Sequence, residues 1–340
     1  MVQAITDVTY NRTITKLTHK GAHLGGFHFG LSSSIIPLLI CLEFFNDKRA
    51  TELLTAYSNY LTEVLEDECW QKYFWGCDFL SGMFGTLSVL TKIFELTYDT
   101  RFCKLASALF AKIESILKVR NSKKIIAFER SVTIREDELL SGLSHGVMGC
   151  AYSTYYYNSI IAKDNAVESI FLDFLDWEIS AYDECIHNWK DYRRRSQSTK
   201  GEFSWSHGLP GNYLVLKHLS DNGVKAAKDF VSNNPPAKYF SFETLLKRPR
   251  PVNDSLCHGA YGLINIIKKV YPAALNDHRI YIWANLRNLA NQDIRELRVR
   301  AADPLGLWVG KVGSLLGSIG LLESGFTFPF LPHEMQYIQQ

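Results

Sequence analysis

Two kinds of hydrophobic pattern alternate along the chain. Six stretches carry little charge and are apolar nearly all round: IIPLLICLEFF, TLSVLTKIFEL, CAYSTYYYNSIIA, NYLVLKHL, LINIIKKVY and SLLGSIGLLES. Between them lie amphipathic segments. In Arg49 to Glu66 the apolar residues Leu53, Tyr57, Tyr60, Leu61 and Val64 fall at helical spacing, which puts them on one face. Arg101 to Leu117, Val167 to Tyr182 and Asn276 to Asn291 follow the same rule. The pattern predicts repeated pairs, each with one buried inner helix and one half-exposed outer helix. Strand signals are weak. KKIIAFERSVTI (Lys123 to Ile134) has the β-branched content of a short hairpin, and Ala237 to Asp254, with Pro249 and Pro251, reads as a long loop.

A glycine motif stands in front of each apolar stretch. It reads DFLSGMFG (Asp78 to Gly85), GLSHGVMG (Gly142 to Gly149), SWSHGLPG (Ser204 to Gly211), SLCHGAYG (Ser255 to Gly262) and LWVGKVG (Leu307 to Gly313). A weaker copy, GGFHFGLSS, contains Gly30 and has Ser33 in place of the second glycine. From Gly30 the first glycines step by 52, 64, 62, 51 and 51 residues, through Gly82, Gly146, Gly208 and Gly259 to Gly310. A recurring unit of about 50 residues with two helices in it is the signature of a helical array or closed toroid. The expected fold is therefore all-α: an α/α toroid, a double-layered α6/α6-type barrel, formed by residues 1–340 as a single domain. The glycines would allow a tight turn and close backbone approach where each inner helix begins.

Composition narrows the class of function. The chain has 340 residues, is 46% hydrophobic and carries a net charge of +2. That is ample for a buried core and gives no general attraction to nucleic acid. No apolar run approaches the ~18 residues of a membrane span, and MVQAITDVTYNRTITK lacks a signal-peptide core. Seven cysteines lie scattered without framework spacing, as in proteins of a reducing compartment. The expected location is the cytoplasm.

The motifs hold the candidate chemistry. Histidine directly precedes the first glycine three times, at His145, His207 and His258. Equivalent positions in a closed repeat converge on the axis, where a histidine serves as general acid or base near neutral pH. Cys257 and His258 are adjacent, so both can reach one metal ion given a third ligand; the alternative is a buried thiol beside a hydrogen-bonded histidine. Asp78, four residues before Gly82, either orients a histidine or caps the inner helix. Trp205 and Trp308 belong to a wall or core. The run Arg193 to Arg195 is a solvated face or a contact for an acidic peptide.

Taken in order, GLSHGVMG, SWSHGLPG and SLCHGAYG resemble the lanthionine synthetase C-like family, whose pattern has a GxxHG element, a tryptophan-cysteine element, a Cys-His-Gly element and a last Gly-x-x-Gly helix. The likeness runs from about Gly26 to Ser324. It implies an α/α toroid and a zinc ion near the central opening. The implied ligands are Cys257, His258 and the residue at 206, which here is serine and not cysteine. A hydroxyl is a far poorer zinc ligand than a thiolate, so the resemblance implies a weakened zinc site. It also implies His145 as general acid/base, with His207 assisting and Asp78 orienting. Glu202 stands where the family's bacterial cyclases often carry arginine.

The implied reaction is the addition of a cysteine thiol to a dehydroamino acid of a ribosomally made precursor peptide, closing a thioether ring. The implied partners are that peptide and a dehydratase or other biosynthetic enzyme, in a peripheral membrane-associated complex, with no nucleic acid. Three accounts of Ser206 stand open: weak zinc binding, metal-free catalysis, or an engineered replacement. Two other readings also stand. One is a non-catalytic relative that binds a modified peptide or scaffolds partner enzymes. The other is a different toroid enzyme such as a glycosidase or terpenoid cyclase, against which the repeat turns lack paired carboxylates.

Overall fold

The computed structural model describes residues 2–18, 22–120, 123–126, 139–190, 202–248, 256–280 and 330–335. It is helical through most of these. In chain order come α1 (Val2–Thr18), α2 (Ser32–Phe44), α3 (Arg49–Glu66), α4 (Met83–Thr97), α5 (Thr100–Ile116), β1 (Leu117–Arg120), β2 (Lys123–Ile126), α6 (Val147–Tyr157) and α7 (Asn165–Ser180). Then follow β3 (Tyr182–Asp183), β4 (Asn188–Trp189), α8 (Leu209–Asp221), α9 (Lys225–Asn233), α10 (Ala237–Phe240), α11 (Phe242–Leu245) and α12 (Ala260–Val270). The chain divides into two compact units. One comprises Met1–Leu140, His145–Leu175 and Pro329–Gln340; the other comprises Ser141–Ser144 and Asp176–Phe328.

From α3 to α6 the two hydrophobic patterns sort as expected, whereas α2 is exposed at Pro37 and Glu43. Every residue of α4 from Met83 to Ile93 is buried, and so is α6 from Val147 to Thr154. The amphipathic helices bury one stripe only: Leu53, Tyr57, Leu61 and Val64 on α3, and Phe102, Ala106, Leu109, Phe110 and Ile113 on α5. α2 packs on α4 and α4 on α6, while α3 packs on α5. The inner helices carry hydroxyls that satisfy one another where water is excluded. Ser88 donates to Ser153 across α4 and α6 (2.9 Å), and Tyr57 donates to Ser32 (2.9 Å). Aspartates start the outer helices. Asp99 accepts from the Arg101 amide, and Asp164 accepts from the amides of Ala166 and Val167, which meets donors left over in a first turn.

The hairpin begins earlier than its sequence signal. Leu117 pairs with Ile126 and Arg120 with Lys123 in antiparallel register; residues 127–134 lie outside the described residues. In the second unit α8 packs on α9 and α12 on α8. The segment expected as a long loop from Ala237 contains α10 and α11. Tyr239, Phe240 and Leu245 are buried, which favours these short turns; Pro249 and Pro251 lie beyond them, outside the described residues. The repeat at Gly310, Trp308, Arg193 to Arg195 and the outer helix beyond residue 280 fall outside the described residues.

The second glycine of three motifs has a direct steric reason. A Cβ at Gly85 would lie 2.0 Å from the Phe79 carbonyl oxygen; at Gly211, 1.9 Å from that of Trp205; at Gly262, 1.9 Å from that of Leu256. In all three the oxygen belongs to the sixth residue upstream. The turn ahead of each inner helix therefore lies flat on the helix's first turn, and backbone, not a flexible side chain, fills the space. Replacing Gly85→Ala should lower unfolding stability by about 1–3 kcal/mol or more, read as a shift of the urea midpoint at constant m-value. A loss of less than about 0.5 kcal/mol, the range of neutral surface changes, would show that the turn relaxes and that the steric account is wrong.

Candidate active site

His145 and Asp78 meet in the first unit. The turn before α6 ends with Gly146 in extended conformation, and Val147 N–H donates to the Leu140 carbonyl at 2.9 Å. His145 is thereby held just ahead of the helix, with its Nδ1 at 2.9 Å from Asp78 Oδ2. Asp78 is 1% exposed. Its carboxylate also accepts from the Ser81 amide at 2.6 Å and from Ser81 Oγ at 3.1 Å. Asp78 thus engages a histidine and closes the turn before α4, but it does not cap the helix, whose N-cap is Gly82 and has no side-chain cap bond. Because the carboxylate acts as acceptor in these bonds, the ring proton of His145 sits on Nδ1 and Nε2 is the basic nitrogen. Next to Asp78, burial and the adjacent carboxylate push the Cys77 thiol up to about 12. Cys77 therefore stays protonated and chemically quiet near neutral pH.

The SWSHG turn and the start of α12 meet in the second unit. Ser204 N–H donates to the His207 carbonyl (3.1 Å), and the His207 amide donates to Ser204 Oγ (3.2 Å). Gly208 has φ +81°, unlike Gly82, Gly146 and Gly259, whose φ values lie between −110° and −121°. That left-handed φ lets Phe203 and Gly208 bridge, with the Glu202 carbonyl where a Gly208 Cβ would stand. Asn188 clamps the same turn: its Nδ2 donates to Glu202 O at 3.0 Å and its Oδ1 accepts from Leu209 N at 2.7 Å. The consequence is that Glu202 is folded back toward the motif histidines.

His207 is buried, and its ring centroid lies 6.0 Å from that of His258. His258 Nε2 is 3.8 Å from Glu202 Oε2. One ligand atom from each of Glu202, His207 and His258 lies within 4.8 Å of the others, so the three can hold a metal ion. The two segments are also tied through backbone, since Ser206 N–H points to the Cys257 carbonyl at 3.4 Å. Sequence reasoning marked Glu202 only as a departure from an arginine. The signal that would have found it is the pairing of a carboxylate with a histidine across a turn that closes on a left-handed glycine.

The ligand set implied by the resemblance does not fit this chain. It needs a thiolate at 206, but Ser206 is 1% exposed and its hydroxyl lies 2.5 Å from Ser144 Oγ. Ser144 also donates, from Oγ (3.1 Å) and from N (3.2 Å), to the Ser206 carbonyl. Residue 206 is therefore built into a serine–serine contact. Beneath it, Glu178 is fully buried and accepts through one carboxylate oxygen from Ser141 Oγ, Gly142 N (3.1 Å) and Asn212 Nδ2 (2.7 Å). Gly142, at φ +122°, packs against the Ser206 carbonyl and His207 Nδ1. Glu178 thus anchors the loop on which the Ser206–His207 turn rests.

Comparison with known proteins agrees with this architecture. The family model for lanthionine synthetase C-like proteins matches residues 3–331. A solved structure of nisin cyclase superposes with a TM-score of 0.63 at 19% identity, covering 94% of this chain and 81% of the other. No curated protein sequence matches. These matches establish the all-α, α/α-toroid class that the repeat spacing predicts. Among the described residues no helix is long and apolar enough to cross a membrane. Glu178→Ala should cost at least about 2 kcal/mol, because it strands several buried donors at once. Chemical denaturation measures this; a neutral outcome would remove Glu178 as the anchor of the turn.

Proposed function

Because the chain belongs to the lanthionine synthetase C-like family, we propose that it closes thioether rings in a dehydrated, ribosomally made precursor peptide. The observation that carries this reading is the His145–Asp78 pair at 2.9 Å, placed at the turn before a buried helix. The continuous family match over 3–331 supports treating residues 1–340 as one domain. The peptide would come from a dehydratase-type reaction, since net loss of water from serine or threonine makes the acceptor double bond.

The ring-forming step is an isomerisation and needs no co-reactant. His145 Nε2 takes the proton of the peptide thiol. The sulfur then bonds to Cβ of the dehydroamino acid, and the π pair moves onto Cα and its carbonyl as an enolate. The imidazolium returns the proton to Cα. Asp78 holds the ring tautomer and stabilises the imidazolium while it lasts. Among the family's implied zinc ligands, Cys257 and His258 are present but the thiolate at 206 is not, so no step here depends on that set.

A second reading, peptide binding or scaffolding without turnover, draws on Ser206, whose hydroxyl is engaged with Ser144. One assay separates the two: mass spectrometry with thiol alkylation on a dehydrated precursor peptide, against buffer alone. A cyclase protects thiols faster than buffer. His145→Ala should cut that rate by about 10²–10⁴, and Asp78→Asn should slow it with the fold intact. If the wild-type chain protects no more thiols than buffer, the cyclase reading fails; binding of the same peptide would then establish the second reading.

A further inference from the structure

We infer that Glu202, His207 and His258 form a metal site of a different donor class from the one the resemblance implies: two imidazoles and one carboxylate, with no sulfur. The inference does not rest on cyclase activity. Three donor atoms lie within 4.8 Å of one another, and His258 Nε2 and Glu202 Oε2 are 3.8 Å apart. Ligands on one tetrahedral ion at ~2.1 Å are separated by roughly 3.4 Å. Small side-chain rotations therefore bring all three into a first coordination sphere, with no movement of backbone.

The backbone is arranged for this. Asn188 donates to the Glu202 carbonyl, and Gly208, having no side chain, leaves room for that carbonyl, so Glu202 enters the site from a pinned position. His207 is buried, and its Nδ1 side abuts Gly142, which directs Nε2 away from that contact. The family's thiolate position is Ser206 and its arginine position is Glu202. The two departures are coupled: one removes a soft anionic donor, and the other replaces a cation, which would repel a metal ion, with a hard anionic donor. A two-histidine, one-carboxylate set suits divalent Zn²⁺, Co²⁺ or Fe²⁺ and leaves positions open for an exogenous ligand. With one anionic ligand where two thiolates would stand, the ion keeps more positive charge and is the stronger Lewis acid.

The test uses the full-length protein, stripped with chelator and titrated with Co²⁺, then with Zn²⁺ in competition, without peptide. The expected result is one Co²⁺ per chain, with visible ligand-field bands and no thiolate-to-cobalt charge-transfer band. Cys257→Ser should leave stoichiometry and spectrum unchanged. Glu202→Gln and His207→Ala should each weaken binding by at least ~100-fold, beyond the ~10–100-fold typical of outer-sphere partners. Far-ultraviolet circular dichroism and a thermal melt check each fold. Glu202→Asp, which keeps the charge but withdraws the oxygen by one methylene, serves if Glu202→Gln does not fold. A thiolate charge-transfer band, loss of binding in Cys257→Ser with Glu202→Gln unaffected, or no stoichiometric binding by wild type would each overturn the site. Since no ring closure is measured, these failures are distinguishable from failure of the cyclase reading.

Discussion

The closest constraint in this protein is a contact between backbone and backbone. The carbonyl of the sixth residue before each second glycine lies where that glycine's Cβ would be, at Gly85, Gly211 and Gly262. Any side chain there would lift the preceding turn off its helix. The turn carries the candidate site residues: Asp78 before α4, His207 before α8 and His258 before α12. Holding it flat means that functional side chains are positioned by rigid scaffold and not by mobile loop, which is the arrangement in which geometry is kept to within fractions of an ångström.

The leading glycines are not all alike. Gly82, Gly146 and Gly259 have ordinary extended backbone, whereas Gly30 and Gly208 have positive φ. At Gly208 this closes a small turn on itself, and a carboxylate, Glu202, lies beside two histidines. Support comes from below, where Glu178 gathers the donors of Ser141, Gly142 and Asn212. A fully buried carboxylate is costly unless several hydrogen bonds satisfy it, and this one accepts from three buried donors.

The two histidine environments differ in kind. His145 faces a buried carboxylate that is itself held by Ser81, an arrangement for moving a proton and keeping a tautomer. His207 and His258 face each other and a partly exposed carboxylate, an arrangement for sharing a cation. The same sequence context, a histidine before glycine, therefore stands in two different surroundings.

Much of the architecture was legible in the chain itself. Uninterrupted apolar stretches mark helices buried on all sides, and stripes at helical spacing mark those buried on one, because side-chain periodicity reflects solvent geometry. Recurring glycines 51 to 64 residues apart likewise marked the repeat, and the histidines before three of them marked the turns that hold the candidate site residues. Other features were not legible. The helical turns at Tyr239 and Leu245 bury their aromatic and aliphatic side chains, which no local periodicity in so short a stretch announces. Glu202 came into the site only because a left-handed glycine reversed the chain, and Ser206 was committed to Ser144 by a contact 62 residues away in sequence. Local pattern determines which segments are helical and which face is apolar, since those depend on neighbours in the chain. Which donors meet depends on how separate turns are folded against one another, and that was decided only by the tertiary structure.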